Sequence, residues 1–300
     1  MQRILVTGAN SFVGQNLISH LETFGFEILG LARSRKSKSV HDLANLSPIT
    51  NRPYILGDLS DSLFIESISF KPDAIIHLAA NRNSNEGISK LLQDNYLSTK
   101  NLQVYAQKND CTRFIYTSSV SVHGQLSHSP LTENSGYENP NLYGLTKRLG
   151  ELFLQDNNVN TNLYVLRLPA VLGLGAMDHW VSRILKEALS NSIITQRNAD
   201  SLFNNILDVD DLSMFIIKLL SDSQQGSHTF PLASSEPITI SEVINLVIQL
   251  TGSKSKIQKL DHGAPAIYID DSYARQQFNF QSLTTVFALQ KYVRTNAFVL

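Results

Sequence analysis

The order of its apolar runs constrains this chain more than any other feature. Short runs at 3–6, 28–31, 54–56, 74–78, 114–116 and 163–168 are mostly continuous rather than alternating. That is the pattern of parallel strands covered on both faces. Between them lie longer stretches of helical character at 12–24, 88–108 and 142–155. Parallel neighbours need a crossover, usually a helix, so this alternation predicts an α/β fold with a doubly wound parallel sheet.

The pattern loosens after Pro169. Residues 206–208 and a helix-like stretch at 212–220 read as a return to the main sheet. The expected organisation is a dinucleotide-binding domain of 1–172 plus about 206–221. Residues 173–205 and 222–300 would form a smaller, interleaved C-terminal substrate lobe, with a ligand cleft between the two.

Composition excludes several function classes. A net charge of −1, with 17% charged residues, gives no electrostatic case for nucleic acid or an anionic membrane surface. No segment approaches the ~18 consecutive apolar residues of a membrane span. The first seven residues run directly into a glycine turn, with no signal-peptide pattern. The single cysteine, Cys111, sits before an apolar run and reads as a buried, inert thiol. A cytoplasmic protein without a metal site is expected.

Directly after the first strand comes Thr7-Gly8-Ala9-Asn10-Ser11-Phe12-Val13-Gly14. Gly8 permits a tight strand-to-helix turn, and Gly14 lets the helix pack closely on the strand. Free backbone N–H groups at the helix start would then face a pyrophosphate, with Gly8, Asn10, Ser11, Phe12, Val13 and Gly14 around it. The end of the second strand decides between NAD and NADP. It reads Gly30-Leu31-Ala32-Arg33-Ser34-Arg35-Lys36, with three cations and no carboxylate. Arg33 can pair with a 2′-phosphate, so NADP is expected, with NAD the other possibility. His77-Leu78-Ala79-Ala80 ends the fourth strand, where small residues let backbone approach a cofactor. His77 itself reads as a packed strand residue.

Tyr143 and Lys147 are four apart, so on a helix they share a face. A lysine ammonium beside a phenol should favour the phenolate and lower the tyrosine pKa. Such a tyrosine can exchange a proton with a substrate oxygen near neutral pH. Ser119, at a strand end, would hold the same oxygen, and Asn95 would support the site from a neighbouring helix. Leu142, Leu145, Leu149 and Leu152 form a separate apolar stripe that leaves Tyr143 and Lys147 free to face elsewhere.

These motifs, in this order, resemble the NAD(P)-dependent epimerase/dehydratase family of extended short-chain dehydrogenases. The resemblance runs through TGANSFVG, GDLSD, HLAA, DNYLSTKNL, YTSSVSVHG, PNLYGLTK, LRLPAVLG, ILDVDDL and PLASSEPITISEVINL. It implies a Rossmann-like domain, hydride exchange with a nicotinamide and a nucleotide-sugar substrate. It also implies Ser119, Tyr143 and Lys147 as the catalytic triad, Asp58 and Leu59 near the adenine, and Pro169 and Ala170 near the nicotinamide. In the family the helices corresponding to 88–108 and 142–155 commonly form a dimer interface, which implies a homodimer here.

Two departures narrow the reading. Ser11 stands where the glycine-loop pattern has its middle glycine. Val120-Ser121 replaces the Asp-Glu that sugar dehydratases carry, and elimination of water needs that extra acid and base. His123 precedes Gly124 where Tyr is more usual and has no assigned role. The leading expectation is therefore a 4-keto reductase or dehydrogenase of a nucleotide sugar. The alternatives are a nucleotide-sugar 4-epimerase that recycles NAD and a non-catalytic dinucleotide sensor. Trp180, Arg183, Arg197 and Phe203 are positions where substrate groups could be met.

Overall fold

The computed structural model describes residues 1–33, 54–158, 161–260 and 266–298. Its elements in chain order are β1 (Arg3–Thr7), α1 (Phe12–Thr23), β2 (Glu27–Ala32), β3 (Tyr54–Leu56), α2 (Ser62–Glu66), β4 (Ala74–His77), α3 (Gly87–Leu91), α4 (Ser98–Lys108), β5 (Arg113–Ser119), α5 (Leu142–Asp156) and β6 (Asn162–Leu168). There follow β7 (Ala170–Leu172), α6 (Trp180–Leu189), β8 (Ile194–Gln196), β9 (Leu202–Phe203), β10 (Ile206–Asp208), α7 (Val209–Leu219), β11 (Ser227–Pro231), β12 (Ile238–Thr239), α8 (Ile240–Thr251), β13 (Ile257–Lys259), α9 (Ser272–Phe278) and α10 (Thr285–Asn296). A π-helical stretch, Leu92–Leu97, joins α3 to α4. Among the described residues no helix is long and apolar enough to cross a membrane.

The main sheet has the order β11-β6-β5-β4-β1-β2-β3. The interior strand β1 pairs in parallel with β2 (Thr7 opposite Leu31) and with β4 (Thr7 opposite His77). The chain winds from β1 to one edge through β2 and β3, then returns to the other side at β4. This reversal between β1 and β4 opens a crevice at their carboxyl ends, where α/β sheets bind ligands.

Local chemistry explains the elements. Ile4, Leu5, Val6, Ile75, Ile76, Phe114 and Ile115 are fully buried, as covered parallel strands require. Helix α1 starts at Ser11, whose hydroxyl accepts the Gly14 N–H at 3.1 Å, and α5 at Asn141, whose side chain accepts the Gly144 N–H at 2.8 Å. One core cluster gathers Leu5, Leu31, Ile75, Leu102, Tyr105, Phe114 and Leu154. Each such side chain contributes roughly 1.5–3 kcal/mol by leaving water. Cys111 is buried, donates to the Asp73 and Arg113 carbonyls, and has its thiol pushed up to about 12 by burial.

The chain clusters into two compact units. The first comprises Met1–Gly124, Tyr137–Arg167 and Ser213–Phe230; the second comprises Gln125–Gly136, Leu168–Leu212 and Pro231–Leu300. This division is more finely interleaved than the expected boundaries at 172, 206 and 221. Two elements account for the difference. The expected return of 206–208 to the main sheet does not occur: β10 pairs with β7 in a separate two-stranded sheet. The strand that does join the main sheet is β11, within the stretch expected to be substrate lobe. The second unit also contains the pairs β9–β12 and β8–β13.

Candidate active site

The glycine loop brings two strand ends into backbone contact. Gly8 has φ of 67°, in the left-handed region, and a Cβ there would lie 2.9 Å from the Ala79 nitrogen. At Gly14 a Cβ would fall 2.2 Å from the Gly8 carbonyl oxygen. Ser11, the departure from the glycine pattern, turns its hydroxyl onto its own helix as the cap of α1.

A cavity in the first unit opens at this crevice. Gly8, Asn10 and Ser11 line it from the loop after β1, and Arg33 from the end of β2. Asp58 and Leu59 line it after β3, and Leu78, Ala79 and Ala80 after β4. Leu31, Ala32, Gly57, Asn81, Asp94 and Ser98 complete the lining without having been singled out in the sequence. Phe12, Val13 and Gly14 form the first turn of α1 and lie outside it, as do Asn95, Tyr143 and Lys147. Pro169 and Ala170, both partly exposed, belong to the second unit, where Ala170 opens β7 opposite Ile206.

Arg33 has a partner that the sequence did not disclose. Its Nη1 donates to Asp94 Oδ2 at 2.8 Å, although the two residues are 61 apart. Asp94 Oδ2 also accepts from Asn81 at 2.8 Å, and Oδ1 accepts from Lys90 at 2.7 Å. Burial raises the Asp94 carboxyl, but the hydrogen bonds from Lys90, Arg33 and Asn81 bring it below its ordinary range. The available signal was its place beside Asn95 in DNYLSTKNL. Ser34, Arg35 and Lys36, the rest of the expected basic strand end, lie outside the described residues.

Asn95 braces the site. Its Oδ1 accepts the Asn81 N–H at 2.7 Å, and its Nδ2 donates to the Asn81 carbonyl at 2.9 Å and to Thr146 on α5 at 2.8 Å. His77 is fully buried between two hydroxyls, Thr7 at 2.7 Å and Thr99 at 3.0 Å. The Thr7 oxygen also accepts from the Ala79 N–H. Thr99 donates to the Asn95 carbonyl, so His77 Nε2 donates to Thr99. Burial, with the nearby Lys147 charge, holds the ring's pKa well below the ordinary value, and a neutral ring protonated on Nε2 accepts the Thr7 hydroxyl proton at Nδ1.

Ser119 ends β5, accepts the Ser121 N–H at 3.1 Å, donates to the Ser121 hydroxyl at 3.1 Å, and lies near enough to the Tyr143 phenol to act on its pKa. Lys147 follows one turn along α5 and is 1% exposed. Its Nζ lies 4.0 Å from the centre of the Tyr116 ring and has no hydrogen-bond partner among the described residues. Burial pushes the Lys147 pKa down to about 7, against the charge of Glu151. The expected lowering of the Tyr143 pKa is not found. Burial raises it, and the charge of Arg82 with the nearby Ser119 hydroxyl only partly offsets this. The lysine that was to stabilise the phenolate is itself short of charge in a dry setting.

Behind Lys147 lies an ion-pair network that the sequence reading missed. Glu151 is fully buried and accepts from Arg167 (Nε at 3.1 Å, Nη2 at 2.9 Å), Arg148 (2.8 Å) and Ser118. Burial raises its carboxyl, but Arg167 and the other donors bring it below the ordinary range. Arg167 also reaches His123 Nε2 at 3.1 Å and the Tyr137 hydroxyl at 3.0 Å. His123 stacks on Tyr137, which gives it a structural place. The signal for Glu151 was its i,i+4 spacing from Lys147.

In the second unit, Trp180 packs on Phe203 with ring centres 4.9 Å apart. Arg183 faces Glu187 at 3.9 Å, and Arg197 is exposed.

Known proteins resemble the chain in sequence and in fold. UDP-glucose 4-epimerase of Caenorhabditis elegans is 32% identical over 185 residues, which cover 55% of this chain and 52% of the relative. The chain spans about half the length of the first curated relatives it matches. A UDP-glucose 4-epimerase of Cyamopsis tetragonoloba is 22% identical over 94% of this chain and 91% of its own. Among solved structures, Bordetella bronchiseptica WbmG in complex with NAD and UDP superposes with a TM-score of 0.85 at 21% identity, covering 99% of this chain and 95% of that one. UDP-glucose 4-epimerase of Thermotoga maritima, with UDP-glucose, gives 0.83 at 18% identity, covering 99% of both chains. These structures share the doubly wound fold. Residues 4–233 match the family described as NAD dependent epimerase/dehydratase, and the chain belongs to that family.

Proposed function

We propose that the protein is a nucleotide-sugar 4-epimerase that recycles a bound NAD. The observation that carries this is the buried Lys147 ammonium, without a hydrogen-bond partner among the described residues, one helical turn from Tyr143, which has Ser119 beside it. An orphaned buried cation calls for polar oxygens, which a ribose supplies. The cradle at Gly8, where a Cβ would strike the Ala79 backbone, suits a diphosphate. NAD therefore fits the residues present. Asn10 and Ser11 would flank its phosphates, Asp58 and Leu59 its adenine, and Lys147 its nicotinamide ribose.

Relatives named as UDP-glucose 4-epimerases support this reading over the expected reductase. So does the engagement of Arg33 by Asp94, since a guanidinium already paired with a carboxylate is a poorer 2′-phosphate ligand. The absence of an Asp-Glu pair at Val120-Ser121 still argues against dehydration.

When bound, the nicotinamide supplies reversible hydride acceptance at the sugar C4. The chain handles the accompanying proton. Ser119 holds the C4 oxygen, and the Tyr143 phenol oxygen takes its proton and later returns it. Lys147 holds the ribose and favours the ionised form of Tyr143 when the site is filled and its own charge is restored. Asn95 fixes the distance between the β4 end and α5. The exposed leucines of α5 fit a second copy of the chain, giving a homodimer, and a lone buried cysteine suits the cytoplasm.

The test is incubation of the protein with UDP-glucose and catalytic NAD, followed by NMR of the sugar. The expected result is the 4-epimer without net NADH. Tyr143→Phe should lower turnover by about 10²–10⁴-fold. Stoichiometric consumption of NADPH with a 4-keto sugar would instead establish the reductase.

A further inference from the structure

Among the groups lining the cavity, the Asp94 carboxylate enters the reading above only as the partner of Arg33, yet it lies beside the strand end that governs cofactor choice. In doubly wound sheets the end of β2 faces the adenosine ribose, and an acidic residue there accepts from the 2′-hydroxyl. Here that end carries Arg33, which has donors and no acceptor. The carboxylate comes from elsewhere in the sequence and meets the Arg33 tip at 2.8 Å within the same cavity.

We propose that Asp94, carried by the π-helical stretch before α4, reads the adenosine ribose in place of a β2-end acid and selects the dinucleotide with a free 2′-hydroxyl. This rests on the reading that the cavity takes a dinucleotide. The acceptor count supports it. An ionised carboxylate offers about four lone-pair sites. Among the described residues, Arg33 and Asn81 use both on Oδ2 and Lys90 uses one on Oδ1, which leaves one for a ribose hydroxyl. The setting is rigid, since the Asp94 side chain is only 5% exposed. Widened π-helical turns recur at functional sites, where they redirect a side chain.

Charge gives the discrimination its sign. A 2′-phosphate carries at least one more negative charge than a hydroxyl. To use Arg33 it must break the 2.8 Å ion pair or set its oxygens beside the Asp94 carboxylate. Removing the Asp94 charge reverses this, because Arg33 and Lys90 would both be released toward the phosphate.

The test is the pair of dissociation constants for NAD and NADP, measured by calorimetry on the whole chain, wild type and Asp94→Asn. Wild type should prefer NAD. Loss of one charge-assisted hydrogen bond should weaken NAD binding roughly tenfold or more in Asp94→Asn, while NADP binding tightens, so the preference inverts. Should Asp94→Asn prove unstable, Asp94→Ser gives the same ratio. An unchanged NAD-to-NADP ratio in a folded variant that still binds NAD would overturn the proposal and leave the dinucleotide reading intact. A wild-type preference for NADP that Arg33→Leu abolishes would also overturn it. Failure of wild type to bind either dinucleotide at millimolar concentration would remove the dinucleotide reading and this proposal with it.

Discussion

Helices α1 and α5 both pack on the main sheet, and they bury opposite kinds of surface. Helix α1 turns Leu17, Ile18 and Leu21 inward, as an amphipathic helix should. Helix α5 turns Thr146, Lys147 and Glu151 inward and leaves Leu142, Leu145, Leu149 and Leu152 between 37% and 45% exposed. The first arrangement serves stability alone. The second places an ammonium and a carboxylate out of water, which only specific partners make tolerable. What the contrast teaches is that α5 is folded around its chemistry.

The largest test of this contrast is to break the buried polar face. Glu151→Leu leaves Arg167 buried without its main counter-charge. It should cost roughly 3–5 kcal/mol in urea unfolding. Leu17→Ala on α1 should cost about 2–5 kcal/mol by opening a cavity. If Glu151→Leu proves neutral, the inward polar face is not what organises α5.

Next in size is a pH effect. Lys147 titrates near 7 in the folded cofactor-free protein and near its ordinary value of 10.5 when unfolded. Between those values the unfolded chain binds more protons, so stability rises with pH. The cost of the buried charge is therefore fully present below about pH 7 and fades toward 10.5. Lys147→Met should accordingly be more stable than wild type at pH 6, with the gain shrinking as pH rises, in thermal melts without cofactor. A pH-independent difference would contradict a buried, titrating lysine. The smallest effect belongs to the outer face. Leu149→Ser should change monomer stability by no more than about 0.5 kcal/mol. Light scattering should nonetheless show loss of the proposed dimer, and an unchanged mass would dissociate those leucines from assembly.

The strands and helices of the first unit were legible because continuous apolar runs and glycine punctuation are local signals. Predicted runs at 54–56 and 206–208 coincide with β3 and β10. The partner of 206–208 was not legible, because pairing is set by tertiary packing. The i,i+4 spacing of Tyr143 and Lys147 was visible, as was Ser119 at a strand end. The protonation balance was not, since it depends on how dry Lys147 is, and burial is a property of the fold. Arg33 was only half legible for a related reason: it pairs with Asp94, far away in the sequence. Ser11 looked like a defect in the loop and is a helix cap.

The spacing on α5 has one further consequence. Tyr143, Lys147 and Glu151 mark successive turns of a single stripe, and the leucines mark another. Each residue advances a helix by about 100°. Inserting or deleting one residue after Tyr143 would therefore turn Leu145, Leu149 and Leu152 about 100° toward the sheet and Lys147 and Glu151 about 100° away from their partners together, so point substitutions along α5 are separable while a single-codon length change is not.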